Sequence, residues 1–197
     1  NALTNRSQYE ADELFATLDA TTKSVNLTGR LNVTLTDTVG FIQDLPTELI
    51  SSFKSTLEES KNVDLLVHVI DASDPNHEEH EKTVLAIMKD LDMLDIPRLT
   101  LYNKADKAEN FTPTLTPYVL ISAKNENSRT VLQNALLNKM RELFVPFRIK
   151  VSPSKAYKLH ELESLAIIDK REYLEESEMI SGYIAEKNKW RLEEFYD

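Results

Sequence analysis

The run "VDLLVHVIDAS" at residues 63–73 constrains the chain more than any other stretch. Its apolar residues follow one another without the alternation of a half-exposed strand, so both faces of such a strand must be covered. Strands of that kind belong to parallel sheets, and parallel neighbours need long crossovers, usually helices. The flanking sequence supplies them. "DPNHEEHEKTVLAIMKDLDML" (74–94) has helical spacing, with Asp74 expected as N-cap and Pro75 at the first helical position. "RLTLYNKAD" (98–106) and "YVLISAKN" (118–125) read as short strands ending in polar residues, and "SRTVLQNALLNKMRELF" (128–144) as a helix turning Leu132, Leu136 and Leu143 inward. Upstream, "KSVNLTGRLNVTLTD" alternates on either side of Thr28-Gly29-Arg30 and predicts a hairpin. Residues 1–4 read as a helix tail, and 45–60 as a helix with Leu49, Phe53 and Leu57 on one face. The expected fold class is α/β, a mostly parallel sheet with helices on both faces.

After Pro146 the pattern changes. "FRIKVSP", "SKAYKLHELESL", "IIDKREYLEES" and "EMISGYIAEKNKW" read as strand, helix, strand, strand. Two domains are expected: residues 1–145, and a small α+β domain over 146–197. No run of about 18 apolar residues exists, so no membrane span is expected. The chain has no cysteine, which excludes disulfides and thiolate metal sites and suits a reducing, cytoplasmic setting. A net charge of −10 argues against a broad nucleic-acid-binding surface.

In open α/β sheets, ligands bind beyond the carboxyl ends of the strands. The residues at those predicted ends are Asp37 and Gly40, then Asp71, then Asn103, Lys104 and Asp106, then Ser122 and Ala123. The sharpest of these signals is "NKAD" (103–106). A carboxylate at Asp106 accepts two hydrogen bonds from guanine, from N1–H and the exocyclic amine, whereas adenine has no such pair of donors. Lys104 can lay its alkyl stem along the base, with Ala105 between the two, and Asn103 can tie the loop to neighbouring backbone. "SAK" (Ser122, Ala123, Lys124) can offer a backbone N–H to the guanine carbonyl. "DTVG" (Asp37, Thr38, Val39, Gly40) ends a strand on a carboxylate that can hold Mg²⁺ through water. Gly40 lets its own N–H approach a terminal phosphate with no side chain in the way.

"LFATLDATT", "TDTVGFIQDLP", "VHVIDASDP", "YNKAD" and "ISAK" together resemble the HflX family of ribosome-associated GTPases. The resemblance covers nearly the whole chain. It implies a Ras-like G domain of the P-loop NTPase class, binding GTP and GDP with Mg²⁺, and acting on the large ribosomal subunit to separate subunits. It implies that Thr17 is a Mg²⁺ ligand within a switch segment formed by Phe15, Ala16, Thr17, Leu18 and Asp19. It also implies that residues from about 146 onward are the family's small C-terminal domain.

The family's phosphate-cradling G-x-x-x-x-G-K-[ST] does not occur in these 197 residues, whose three glycines are Gly29, Gly40 and Gly182. A family member cut or ordered only from this point is the expected explanation, and a sheet without its central strand would leave two strand edges unpaired. Alternatively, the residues form a nucleotide-free interaction module without catalytic activity. Phe41 stands where many GTPases carry a water-orienting glutamine, so no catalytic side chain is assigned and turnover is expected to depend on a partner.

Three other features carry blander expectations. "HEEHE" (77–81) reads as a solvated acidic first helical turn that complements the helix dipole. His68 reads as a satisfied core histidine. Arg148, Lys150, Lys155 and Lys158 read as a solvated basic surface.

Overall fold

The computed structural model describes residues 21–28, 30–38, 60–109 and 111–196. They fall into two compact units: the described residues of Asn1–Lys23 with Leu35–Ala135, and Ser24–Thr34 with Leu136–Asp197.

In the first unit, β3 (Leu66–Asp71), β4 (Arg98–Asn103) and β5 (Tyr118–Leu120) form a parallel sheet in that order. Asp71 lies in register with Asn103, and Tyr102 with Leu120, so three strands end at one edge. β4 is buried over Leu99, Thr100, Leu101 and Tyr102, whereas the apolar run at 63–73, which predicts a strand covered on both faces, supplies β3. β3 is less covered: among the described residues it pairs with β4 alone, and Val69 is 57% exposed. The hairpin of β1 (Thr21–Thr28) and β2 (Leu31–Asp37), of which Ser24–Thr34 belong to the second unit, forms a two-stranded sheet of its own. Thr22 Oγ1 meets Thr36 Oγ1 at 2.8 Å, and Asn26 donates to Asn32 at 3.2 Å, both across the two strands.

The crossover helix α1 (His77–Asp90) begins later than the sequence predicts, with Asn76 rather than Asp74 as N-cap. Asp74 instead shapes a tight turn ahead of the helix: its carboxylate accepts the Asn76 N–H at 2.8 Å, and its carbonyl accepts the His77 N–H at 3.2 Å. Those contacts resemble a cap, but the first regular turn forms only after them. The helix also stops sooner. Leu91 caps it, and Asp92 takes the left-handed conformation at φ 55°. The Met93 N–H reaches back to the Met88 carbonyl (2.8 Å) and the Asp92 N–H to Lys89 (3.1 Å), a Schellman closure. Met88, Leu91 and Met93 are buried there, with Val84, Leu85 and Ile96 packed against them. Helix α2 (Ser128–Leu143) buries Leu132, Leu136, Leu137 and Met140, while Leu143 is half-buried.

In the second unit, β6 (Val145–Val151), β7 (Ala166–Leu174) and β8 (Ser177–Ile184) form an antiparallel sheet with β8 central. β6 alternates cleanly, burying Phe147, Ile149 and Val151 against Leu162, Ile180, Ile184, Leu192 and Phe195. A β-carbon on Gly182 would lie 1.9 Å from the Ile167 carbonyl oxygen, so this strand position admits only glycine. The expected helix over 154–165 is a 3-10 segment (Pro153–Lys158) followed by α3 (Leu159–Leu165). The last expected strand ends at Ile184, and a 3-10 segment, Glu186–Phe195, continues in its place. On α3, the buried Glu163 carboxylate pairs with Arg30 and Arg171. The basic residues of this unit are largely spoken for: Arg148 pairs with Glu172 at 3.5 Å, Lys158 with Glu194 at 2.9 Å, and Lys155 donates to the Tyr196 carbonyl at 3.0 Å.

Candidate guanine-nucleotide site

Where β4 ends, the chain turns sharply. Lys104 adopts the left-handed conformation (φ 62°, ψ 33°) and Ala105–Lys107 follow as one 3-10 turn. A left-handed residue with a β-carbon costs roughly 1–2 kcal/mol, so neighbouring contacts must hold the turn in place. They do so from both sides. The Asn103 side-chain carbonyl accepts the Ala123 N–H at 2.9 Å, the Asn103 main-chain carbonyl accepts the Ala72 N–H at 2.8 Å, and the Ala105 N–H donates to the Ile121 carbonyl at 3.0 Å. The loops after β3, β4 and β5 are thereby stitched together through one asparagine.

Asp106 is exposed on this turn. The Ser122 hydroxyl holds its carboxyl below the ordinary aspartate range, helped by its own backbone N–H and by the charges of Lys124 and Lys107. It is therefore an ionised, acceptor-only group at neutral pH. The structure thus brings together Asn103, Lys104, Ala105, Asp106, Ser122, Ala123 and Lys124. The expected tie from Asn103 to neighbouring backbone is present, and it occupies the Ala123 amide.

Sequence reasoning placed Asp71 at a strand end but gave it no partner. Its Oδ2 meets the Lys104 ammonium at 2.7 Å, while Oδ1 accepts the Ser73 N–H (2.9 Å) and hydroxyl (2.7 Å). Partial burial pushes the Asp71 carboxyl up, but the Lys104 and Ser73 donors outweigh it and hold it below the usual range. The signal in sequence was D-x-S (71–73), a local side-chain-to-backbone motif.

Asp37 is exposed at the end of β2 and Thr38 half-buried beyond it. Phe15, Ala16, Thr17, Leu18, Asp19, Val39, Gly40 and Phe41 lie outside the described residues. Among the described residues no group of three or more histidines and carboxylates is arranged to hold a metal. A Mg²⁺ kept mostly by water and phosphate needs only one or two carboxylates, and an exposed Asp37 fits that demand.

Two bland expectations need correction. Glu81 of the "HEEHE" segment is not solvated but 3% exposed. It accepts the Tyr102 hydroxyl at 2.9 Å, with Thr114 on its other oxygen. His77 and His80 turn toward Asp74 instead, at 2.9 Å and 3.0 Å. His68 is half-buried on β3 rather than a core residue, and its Nδ1 is buried without a hydrogen-bond partner. Burial foremost, then the nearby Arg98 charge, lowers its pKa to about 4 although Glu81 opposes this, so the ring is neutral at pH 7.

The model of the "50S ribosome-binding GTPase" family matches residues 1–104. The structure resembles that of a GTP-binding protein from Sulfolobus solfataricus in complex with GDP, with a TM-score of 0.53 and 25% identity, covering 62% of this chain and 45% of that one. The fold and these matches define an α/β GTPase domain. Among relatives, the GTPase HflX of Alkalihalophilus pseudofirmus is 40% identical over 190 residues, covering 94% of this chain and 45% of the relative. GTPase HflX of Escherichia coli K12 is 32% identical over 188 residues, covering 92% and 44%. The chain belongs to the HflX family of GTPases, and it spans under half the length of these relatives. No helix among the described residues is long and apolar enough to cross a membrane.

Proposed function

We propose that the gene product containing these residues is a Mg²⁺-dependent GTPase that acts as a switch on the large ribosomal subunit in the cytoplasm and separates subunits. The observation that carries the guanine part is the stitched pair of loops, with Asn103 Oδ1 on the Ala123 amide and Asp106 facing Ser122. In this reading Asp106 accepts N1–H and the exocyclic amine of guanine, and the alkyl stem of Lys104 lines the ring. With the Ala123 amide engaged by Asn103, a neighbouring amide of the same turn meets the guanine carbonyl. Thr17 and Asp37 hold Mg²⁺, the latter through water. That ion neutralises charge on the phosphates when bound. Gly40 leaves its amide open to the terminal phosphate, and Phe15–Asp19 form the switch. Residues 1–145 are assigned to the G domain and 146–197 to a small C-terminal domain.

The ribosomal part rests on the family description and is separable by experiment. GTP hydrolysis by the gene product should need Mg²⁺ and accelerate with purified large subunits, and co-sedimentation with those subunits should favour GTP over GDP. Binding to subunits that ignores the nucleotide would instead support an interaction module. These 197 residues alone, without G-x-x-x-x-G-K-[ST], should bind GTP far more weakly than the gene product, because backbone amides of that loop carry most phosphate binding. Equal affinities by calorimetry would show that the phosphate site has been misplaced.

A further inference from the structure

We propose that Asp71 is a positioning residue of the base site, clamping the Lys104 ammonium so that the lysine stem stays flat as a wall for the purine ring. The proposal rests on the guanine-site reading above and deepens it. Its basis is the division of labour between the two carboxylate oxygens. Oδ1 is used to fix the aspartate itself, accepting both the Ser73 N–H at 2.9 Å and the Ser73 hydroxyl at 2.7 Å. Oδ2 is thereby aimed at Lys104 Nζ, 2.7 Å away. Asp71 is also the register partner of Asn103 on the neighbouring strand, so the anchor sits one residue across from the lysine it holds.

An ordinary surface ion pair is the competing explanation, since the two side chains are 48% and 35% exposed and exposed pairs contribute little. Two features set this pair apart. The carboxylate is immobilised before it meets the lysine, which removes much of the ordering cost that weakens surface pairs. The lysine backbone is held in a left-handed turn, so its stem leaves the chain in one direction. A free lysine beside a ligand would sample many rotamers and lose them on binding. A clamped one has lost them already, and that is how Asp71 strengthens binding without touching the nucleotide.

The test is a double-mutant cycle on GDP affinity in the gene product, measured by calorimetry. Asp71→Ala should weaken GDP roughly three- to tenfold, on the scale of one ordinary net hydrogen bond, since the clamp acts on the nucleotide only through Lys104. In a Lys104→Ala background the same change should cost less than twofold, because nothing remains to be clamped. Asp71→Asn keeps an acceptor for Ser73 but lacks the charge, so it should show the same lysine-dependent loss with the fold intact. Inosine diphosphate, which lacks the exocyclic amine, should lose affinity by the same factor as GDP, since the stem meets the ring face and not its edge. Equal losses with and without Lys104 would overturn the proposal and make Asp71 a determinant of the fold only. So would a loss confined to GDP. Asp106→Asn measured alongside reports on the guanine site separately. If that variant changes base preference while Asp71 and Lys104 fail to couple, the clamp falls and the guanine site stands.

Discussion

Asp106→Asn is the sharpest perturbation of the base site, because it exchanges one acceptor for a donor and leaves shape almost unchanged. The wild-type carboxylate is exposed and held ionised by Ser122, Lys124 and Lys107. It can therefore accept both guanine protons at once. An asparagine still accepts N1–H through its carbonyl, but its amide N–H₂ then faces the exocyclic amine, donor against donor. Hydrogen bonds to a charged acceptor contribute about 1.5–3 kcal/mol each. Losing one and weakening the other to a neutral bond should cost about 3–4 kcal/mol, or roughly 10²–10³-fold in GDP affinity. Xanthine carries a carbonyl where guanine carries the amine, so the same amide becomes a matched donor. Xanthosine diphosphate should gain by a similar factor, and the order of preference should invert. Ser122 can donate to either side chain, so the turn itself should persist. Competition of GDP and xanthosine diphosphate for the gene product, wild type against variant, reads the switch directly. A variant that kept its preference for GDP would refute the assignment of Asp106 to the base edge.

Tyr102→Phe removes a hydroxyl that donates to Glu81 at 2.9 Å and accepts the Thr114 and Leu115 N–H groups at 3.3 and 3.1 Å. With these groups left unpaired in the core, stability should fall about 2–3 kcal/mol by urea unfolding; a loss under about 0.5 kcal/mol would mean that water replaces the hydroxyl. His68 binds a proton in the unfolded chain near 6.5 but in the folded one only near 4. The unfolded state therefore takes up more protons in that window, and stability should decline as pH drops from 6.5 to 4, by up to about 3 kcal/mol, then level off. A His68→Phe chain with the same pH profile would assign the decline to other groups. Phe41→Ala should leave nucleotide affinity within a few fold and intrinsic hydrolysis little changed, since an apolar ring orients no water. A hundredfold collapse in single-turnover rate, about 2.7 kcal/mol of barrier, would place the ring in the chemical site.

The parallel strands were legible because their apolar runs stop abruptly at Asp71, Asn103 and Ser122, and the structure ends β3, β4 and β5 at or within two residues of those points. Helix ends were harder to read. Asp74 and Pro75 look like a start, yet the hydrogen bonds that Asp74 accepts close a tighter turn before α1 begins. At the other end no glycine marks the stop, because Asp92 takes the left-handed position that glycine usually fills. The strand expected over 178–190 overruns its end because Tyr183 and Ile184 extend an alternation that the backbone abandons at Ala185, where a 3-10 segment takes over from Glu186. In the candidate site, N-K-A-D and S-A-K were readable as local patterns, and the structure joins them. The Asp71–Lys104 pair was not, since 33 residues separate partners that only strand register makes adjacent. Nor was the burial of Glu81, which depends on Tyr102 and Thr114 from other elements.

Asn103 accepts from Ala72 with its main chain and from Ala123 with its side chain, so three strand-end loops are fixed before any nucleotide arrives. A base pocket assembled during folding has no ordering left to do on binding, and nothing in it depends on how many phosphates the ligand carries. It should grip the guanine ring equally in the diphosphate and triphosphate states, acting as a constant handle through the cycle. Whatever distinguishes the two states must then be borne by other parts of the protein, and changes confined to the handle should shift both affinities together without altering their ratio.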